Sequence, residues 1–281
     1  MLGEISKYKV LRETDLGYIL LSNNEEFFLH HNECKGQVLF EGDYVEAFLY
    51  ADKKNRLAAT LYKPFITIHT IGFVLVVDVK EDLGVFLNIG ISKDVLLSKD
   101  DLPVNMKEWP QVGDRIIATL RTKNNKLIAK VANKYEIIEN NVDKVKLDLN
   151  SKVEAYVYRI TDECINAVTE SMNVIFIHHS NIRKSYRLGE KIEPKIIQEN
   201  ETDYNGTLIE NKEFQIKDDK LVLLKYLREN NGVMMITEDS SPELISRIFG
   251  MSKSAFKKAI GNLYKDRIIA IEEDKVILLE D

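Results

Sequence analysis

Aromatic and cationic side chains that could bind a nucleic acid strand occur together in the middle of this 281-residue chain. They are Phe73, Phe86, Arg121, Lys123 and Lys126. An aromatic ring offers a face on which an unpaired base can stack, and neighbouring cations can bind the phosphates of the same strand. We therefore take these residues as a candidate site for a single strand. The same rings could instead belong to a hydrophobic core, and the sequence leaves both interpretations open.

Two other segments carry residues of similar type at corresponding positions. In these segments a histidine accompanies an aromatic residue and an arginine, and an imidazole ring can also stack on a base. We predict RNA contacts for Tyr18, His30 and Arg56 in the first segment and for Tyr158, Arg159 and His178 in the third.

The histidines do not form a metal-binding pattern. Four of the five occur as the adjacent pairs His30-His31 and His178-His179. Neighbouring residues of a strand point to opposite faces, so such a pair cannot easily chelate one ion. We predict no metal and no cofactor, with one histidine of each pair facing a binding groove.

The sequence also lacks the usual signatures of catalysis. It contains no phosphate-binding Walker loop, no GxSxG or HExxH motif and no paired cysteines. The two cysteines, Cys34 and Cys164, are too far apart in the sequence for a metal knuckle and suit a reducing compartment. We predict a non-catalytic, cytoplasmic protein.

No segment of the sequence is predicted to enter a membrane. The longest run without a formal charge, 64–77, is too short and too polar to span a bilayer. Residues 1–10 include Glu4 and no apolar stretch, so no secretory signal is expected.

One layout of strands recurs three times along the chain. Each copy contains a glycine-acidic pair that opens a further strand, at Gly42-Asp43, Gly113-Asp114 and Gly189-Glu190. These pairs are 71 and 76 residues apart, a spacing that suits a small self-contained domain. Tight turns are expected between alternating runs, at Asn23-Asn24, Asn124-Asn125 and Asn205-Gly206. The pattern predicts a mainly β protein with three tandem OB-fold β-barrels, at 1–62, 63–140 and 141–213, the third being divergent.

The remaining residues, 214–281, predict an α+β C-terminal part. Leucines at 221, 224 and 227 have helical spacing, Ser241 and Pro242 can begin a second helix, and Ser252 can begin a third. Gly250 between them can end the second helix. Two short apolar runs then predict a hairpin, which completes a winged helix-turn-helix.

These motifs resemble known modules in the order in which they occur. Each repeat is similar to the RNA-binding OB module of the ribosomal S-one type, with an apolar step ending near a histidine and a glycine-acidic pair before the fourth strand. Three such modules and a winged helix resemble the conserved virulence factor B family of Gram-positive bacteria over essentially the whole chain. The most similar segments are 109–114, 186–190, 240–243 and 249–259. The resemblance implies a role in post-transcriptional control of gene expression, including virulence-associated genes.

The second repeat is the best candidate for a working stacking surface. Ile19 replaces the usual aromatic in the first repeat, and Asn166 replaces it in the third, whereas the second retains Phe86. Although the whole chain has a formal net charge of −6, residues 63–137 sum to +2. A positive local field near the phosphates is what strand binding requires, so this repeat should dominate RNA affinity.

The predicted third helix of the winged helix has a basic face. It carries Lys253, Lys257 and Lys258, which could contact nucleic acid or could simply be solvated. Two alternatives to single-stranded RNA binding therefore stay open. One is a DNA-binding transcriptional regulator that acts through this helix, and the other is an adaptor whose barrels bind protein.

Overall fold

A computed structural model describes residues 1–52, 56–142, 145–209, 212–272 and 274–279, with only the backbone for 212–218. The chain divides into two compact units, Met1–Leu208 and Ile209–Asp281. The first unit contains three β modules in sequence, and the second is a winged helix. This arrangement confirms the predicted fold class.

The first module is a closed five-stranded barrel with the strand order β1-β2-β3-β5-β4. Its core includes Tyr8, Leu20 and Leu29, which alternate along their strands with outward-facing residues. The strands are β1 Ile5–Thr14, β2 Gly17–Ser22, β3 Glu25–His30, β4 Tyr44–Ala51 and β5 Leu57–Thr60.

The second module is a closed barrel of the same topology, with the order β10-β8-β7-β6-β9. Its strands are β6 Gly72–Lys80, β7 Gly84–Asn88, β8 Val95–Ser98, β9 Arg115–Lys123 and β10 Lys126–Val131, and a short helix α1, Lys134–Glu139, follows them. Asn133 begins α1 with a capping box, in which its side chain accepts backbone N–H bonds and Glu136 bonds back to the Asn133 N–H.

The third module has the same strand order with its fourth strand in two pieces. Its strands are β11 Ala155–Ile160, β12 Cys164–Val168, β13 Val174–His178, β14 Lys191–Ile192, β15 Lys195–Glu199 and β16 Tyr204–Thr207. The sheet order is β14-β11-β12-β13-β16-β15. Pro194 lies between the two pieces and has no N–H to donate to a neighbouring strand.

Two of the three predicted turns are confirmed. The pairs Asn23-Asn24 and Asn124-Asn125 have positive φ values at both residues, as a two-residue hairpin turn of type I′ requires. The prediction for Asn205-Gly206 is wrong, because both residues lie inside β16. Glycine is needed there for another reason: a Cβ at position 206 would lie 2.8 Å from Cγ2 of Ile175.

The first strand of each module contains an irregularity at the same place. The pairing register shifts between Val10 and Arg12, between Val76 and Asp78, and between Val157 and Arg159. Such a bulge inserts one extra residue and changes the side to which the strand directs its side chains. Its recurrence supports the interpretation of the three modules as copies of one unit.

A shared core and several polar contacts join the second and third modules. Ile117, Ile137 and Val174 pack into one buried cluster that spans them. The Arg187 guanidinium donates two hydrogen bonds to the Asp114 carboxylate, at 2.7 and 3.0 Å. These contacts hold the second and third modules against each other.

The second unit has the predicted winged helix arrangement. Its elements are α2 Lys212–Glu229, β17 Val233–Met234, α3 Pro242–Phe249, α4 Lys253–Lys265, β18 Ile269–Ile271 and β19 Val276–Leu278. Ser241 and Ser252 cap α3 and α4, and Gly250 ends α3 in the left-handed conformation. Leu223 and Leu227 of α2 enter the core, whereas Leu221 is 58% exposed, and β17 is a third strand that the sequence analysis missed.

The described residues contain neither a helix suited to a membrane nor a metal-binding cluster. None of the helices described is long and apolar enough to cross a membrane. Within the described ranges, no group of three or more His, Cys, Asp or Glu residues is arranged to hold a metal ion.

Candidate nucleic-acid interface

A row of outward-facing residues crosses the second module from strand to strand. The row contains, in spatial order, Asp78, Phe86, Leu96, Ile128 and Arg121, each paired in register with the next. Phe86 is half-buried and alternates along β7 with core residues, so its ring lies on the outer face. Because neighbouring strands lie about 4.8 Å apart, the row places an aromatic ring, two aliphatic side chains and a guanidinium on one continuous surface.

Phe86 forms part of a cleft of about 170 Å³ between the first and second modules. The cleft has an apolar wall and cationic groups beside it, which is the combination that a base and its phosphate need. Lining residues from the second module include Phe86, Leu96, Ile128, Lys93 and Lys126, and those from the first are Tyr50 and Ala51.

Lys93 connects the two modules at this cleft. Its ammonium group donates to the backbone carbonyl oxygens of Ala51 and Asp52. Burial lowers the pKa of Lys93 from its ordinary value, and the nearby charge of Lys126 acts in the same direction. Lys93 was not predicted from the sequence, because its role depends on carbonyl groups of another module.

The hairpin tip next to the cleft is positively charged. Lys123 and Lys126 are exposed and directly opposite each other in the pairing of β9 with β10. Like charges in this arrangement destabilise a hairpin. A bound phosphate would relieve that repulsion, so the tip is suited to an anionic strand.

Arg121 is held by a carboxylate at the edge of the outer face. Its guanidinium forms an ion pair with Asp101, which lies in a one-turn 3-10 helix after β8. The Arg121 side chain remains 40% exposed. A phosphate can therefore contact Arg121 either while the bond to Asp101 remains or after that bond breaks.

The first and third modules have equivalent rows with a phenylalanine on the neighbouring strand. Phe28 in the first and Phe176 in the third occupy the position of Leu96, and both are half-buried. Neither residue was predicted from the sequence. They could have been found, because each stands two residues before a histidine, as Leu96 stands two before Ser98.

The predicted histidines cap short helices at equivalent places. His30 and His178 each accept a backbone N–H bond at Nδ1, from Asn32 and Ser180, both at 3.1 Å. Ser98 accepts the corresponding bond in the second module. A ring that accepts at Nδ1 carries its hydrogen on Nε2 when neutral, so Nε2–H of these histidines can donate to a ligand.

The predicted stacking roles of Tyr18 and Tyr158 are corrected by their burial. Tyr18 is 3% exposed in the core of the first module, and its hydroxyl accepts a bond from the Leu39 N–H. Tyr158 is 5% exposed between the second and third modules, and burial raises its pKa to about 12. Neither ring has a free face for a base.

Phe73 also belongs to the contact between modules. Its ring packs on Tyr156 of the third module, with ring centroids 5.1 Å apart, and Arg115 lies against both rings at 4.9 Å. It lies outside the row that contains Phe86, so the structure does not bring the two phenylalanines together as one platform.

Comparison with known proteins identifies the modules and the family. Residues 2–62 match the model for an S1 domain, residues 71–130 a CvfB first S1-like domain, and residues 221–278 a CvfB-like winged helix domain. The chain is 35% identical over 266 residues to the uncharacterized protein YitL of Bacillus subtilis, covering 94% of this chain and 89% of that protein. It is 32% identical to conserved virulence factor B of Staphylococcus epidermidis, covering 99% and 95% of the two chains.

The chain belongs to the conserved virulence factor B family. A solved structure from Streptococcus pneumoniae, described as a multidomain protein with nucleic acid binding domains, matches 99% of the chain. The match has a TM-score of 0.64 and 27% identity and covers 98% of that structure. The S1 and winged helix domains of this family member indicate nucleic-acid binding.

In this member of the conserved virulence factor B family, the two other predicted arginines, Arg56 and Arg159, differ in their surroundings. Arg56 is 69% exposed, but it forms an ion pair with Asp52 at 2.7 Å. Arg159 is exposed, and within the described residues no ion pair of its guanidinium is found. Of the two arginines, Arg159 is therefore better able to bind a phosphate.

The winged helix of this family member presents three predicted lysines on α4. Lys257 and Lys258 are exposed and Lys253 is half-buried. The Lys257 ammonium lies 3.7 Å from a carboxylate oxygen of Glu238. Ser254, Lys257, Lys258 and Gly261 share one helix face, because residues three and four apart are neighbours on a helix.

Proposed function

We propose that the chain is a non-catalytic, cytoplasmic protein that binds single-stranded RNA. We further propose that it acts in post-transcriptional regulation of gene expression, including virulence-associated genes. The outer face of the second module is the observation on which the proposal depends. It combines Phe86 in a cleft, an aliphatic surface beside it and the cations Lys126, Lys123 and Arg121 around it.

The cleft favours a single strand over a duplex. Phe86 is half-buried between two modules, so a base must leave its stack to reach the ring. Bases of a duplex are already stacked, and displacing them costs free energy that a single strand does not lose.

A binding titration of the full chain tests the proposal. We expect single-stranded RNA to bind more tightly than duplex DNA of equal length, with an affinity that falls as salt rises because bound phosphates release counterions. Fluorescence anisotropy at two salt concentrations measures both properties. Stronger binding to duplex DNA would contradict the proposal, and binding to neither would favour the adaptor alternative.

The exposed lysines of α4 support duplex binding as a second candidate function. If α4 enters a major groove, Lys257 and Lys258 contact phosphates. The double variant Lys257→Ala/Lys258→Ala should then lose duplex DNA affinity, with a shallower salt dependence, and keep its affinity for RNA. Lys225→Ala, which removes an exposed lysine charge on α2 of the winged helix, is the control. Equal duplex affinity of the double variant and the unaltered chain would reject this function.

A further inference from the structure

A second cleft lies between the second and third modules. It has a volume of about 400 Å³ and lies within the range of small-ligand sites. Asp101, Asn133 and Lys134 line it from the second module, and Arg159 lines it from the third. The cleft therefore contains groups of both charges beside apolar side chains such as Leu102, Val131 and Ile160.

The outer face of the second module leads to this cleft. Its row of residues, which starts at Asp78 and includes Phe86, ends at Arg121. Arg121 is bonded to Asp101, and Asp101 lines the cleft. A strand that follows the row past Phe86 thus reaches the cleft at Arg121.

The outer face of the third module begins on the other side of the cleft. Arg159 lines the cleft and is paired in register with Asn166, which is paired with Phe176. The third module therefore also has an exposed arginine and a half-buried phenylalanine on its outer face, with Arg159 at the position of Asp78 and Phe176 at the position of Leu96.

The two modules are joined firmly enough to hold these faces in a fixed relation. Arg115 lies against the rings of both Phe73 and Tyr156 and donates a hydrogen bond of 3.0 Å to the Tyr156 hydroxyl. The bidentate pair of Arg187 with Asp114 adds a second polar contact. A ligand that contacts both faces does not need to order the modules first, which lowers the entropic cost of binding.

We propose that one RNA strand runs without interruption from the outer face of the second module, through this cleft, to the outer face of the third. Its phosphates contact Arg121 and Arg159, and its bases stack on Phe86 and Phe176. The proposal rests on the proposed RNA-binding function and extends it by naming the path of the strand.

A continuous path makes affinity depend on strand length in a specific way. An OB fold covers roughly 4–16 nucleotides, so a short strand can fill the second module alone. A longer strand can also reach the third module, where binding is intramolecular and gains from a high effective concentration. Removing Arg159 should therefore affect long strands only.

The test compares oligouridines of about 6 and about 18 nucleotides on the full chain, chosen to fill one module or two. We expect Arg159→Gln to weaken binding of the long strand severalfold and to reduce its salt slope by about one, while the short strand binds as before. A long strand offers more binding positions than a short one. Because the variant and the unaltered chain are compared at the same strand length, this difference does not affect the result.

Arg12→Gln is the matched control. Arg12 has the position in the first module that Arg159 has in the third, it is exposed although it pairs with Glu26, and its removal deletes the same charge. If the path is correct, Arg12→Gln should bind the long strand with nearly the affinity of the unaltered chain. Arg159→Lys should retain part of the long-strand affinity that Arg159→Gln loses.

Two results would overturn the continuous path while the proposed function stands. One is an unchanged affinity of Arg159→Gln for the long strand, and the other is an equal loss in Arg12→Gln. If the unaltered chain binds neither oligouridine nor any other single-stranded RNA, the proposed function itself fails, and the path fails with it. Thermal unfolding of each variant confirms that it is folded during the measurement.

Discussion

The Phe86→Leu variant should bind single-stranded RNA about tenfold more weakly than the unaltered chain. Stacking on an aromatic side chain contributes roughly 1–3 kcal/mol per base, and leucine keeps the apolar volume but offers no π-face. The second module should remain folded, because the Phe86 ring lies on its outer face and not in the core. Anisotropy titration measures the affinity, and thermal unfolding checks the fold.

Phe40→Leu is the matched control for this prediction. Phe40 is 70% exposed in the loop between β3 and β4, so the same ring is removed away from the second module. A normal affinity of Phe86→Leu, or an equal loss in Phe40→Leu, would refute the stacking role. The variant Phe86→Ala/Arg121→Ala should bind more weakly still, because it also removes a phosphate contact.

The regulatory part of the proposal can be examined with the same variant. If the chain controls transcripts by binding them, cells that carry Phe86→Leu should show altered half-lives of the transcripts that the unaltered chain binds. Unchanged half-lives in cells with a weakly binding variant would separate RNA binding from post-transcriptional regulation.

Strand periodicity and turn chemistry made much of the fold predictable from the sequence. The asparagine pairs at 23-24 and 124-125 fix two hairpins, because asparagine tolerates the positive φ that these turns need. The serines at 241 and 252 fix two helix starts in the same local way. In each case the signal and the structure lie within a few residues of each other.

Alternation along a strand also indicates which aromatic residues of the site face outward. Ile19 corresponds to Phe86, which faces outward, so its neighbour Tyr18 must face the core. Phe28 and Phe176 face outward for a related reason. Each stands two positions before a histidine that caps the short helix after its strand, and residues two apart on a strand share one face.

Other features of the site depend on contacts that no local pattern reveals. Phe73 is covered by Tyr156, and Lys93 is held by carbonyl groups of residues 51 and 52. These partners lie in other modules, so the contacts exist only where the modules pack against one another. The bulge at Tyr158 is similar, because an inserted residue breaks the alternation on which the prediction depends.

The Tyr158→Ala variant should lower the free energy of unfolding of the three-module unit by about 3 kcal/mol. Tyr158 is 5% exposed and packs in the cluster that joins the second and third modules, so alanine leaves a cavity there. Removing a large buried aromatic side chain costs roughly 3–5 kcal/mol, and the position at a junction favours the lower value. Urea denaturation followed by tryptophan fluorescence measures the change, since Trp109 lies in the second module.

Tyr158→Phe keeps the ring and is the control for packing. It should unfold near the unaltered chain, and under conditions where both variants are folded each should bind a short RNA strand normally. If Tyr158→Ala instead unfolds like the unaltered chain but loses RNA affinity, the ring contacts RNA and its assignment to the core is wrong. The neighbouring Arg159→Gln should show the opposite behaviour, because an exposed guanidinium adds little to stability and its loss removes a phosphate contact. Tyr158 would then act in the packing between the second and third modules, and its neighbour Arg159 would act in ligand binding.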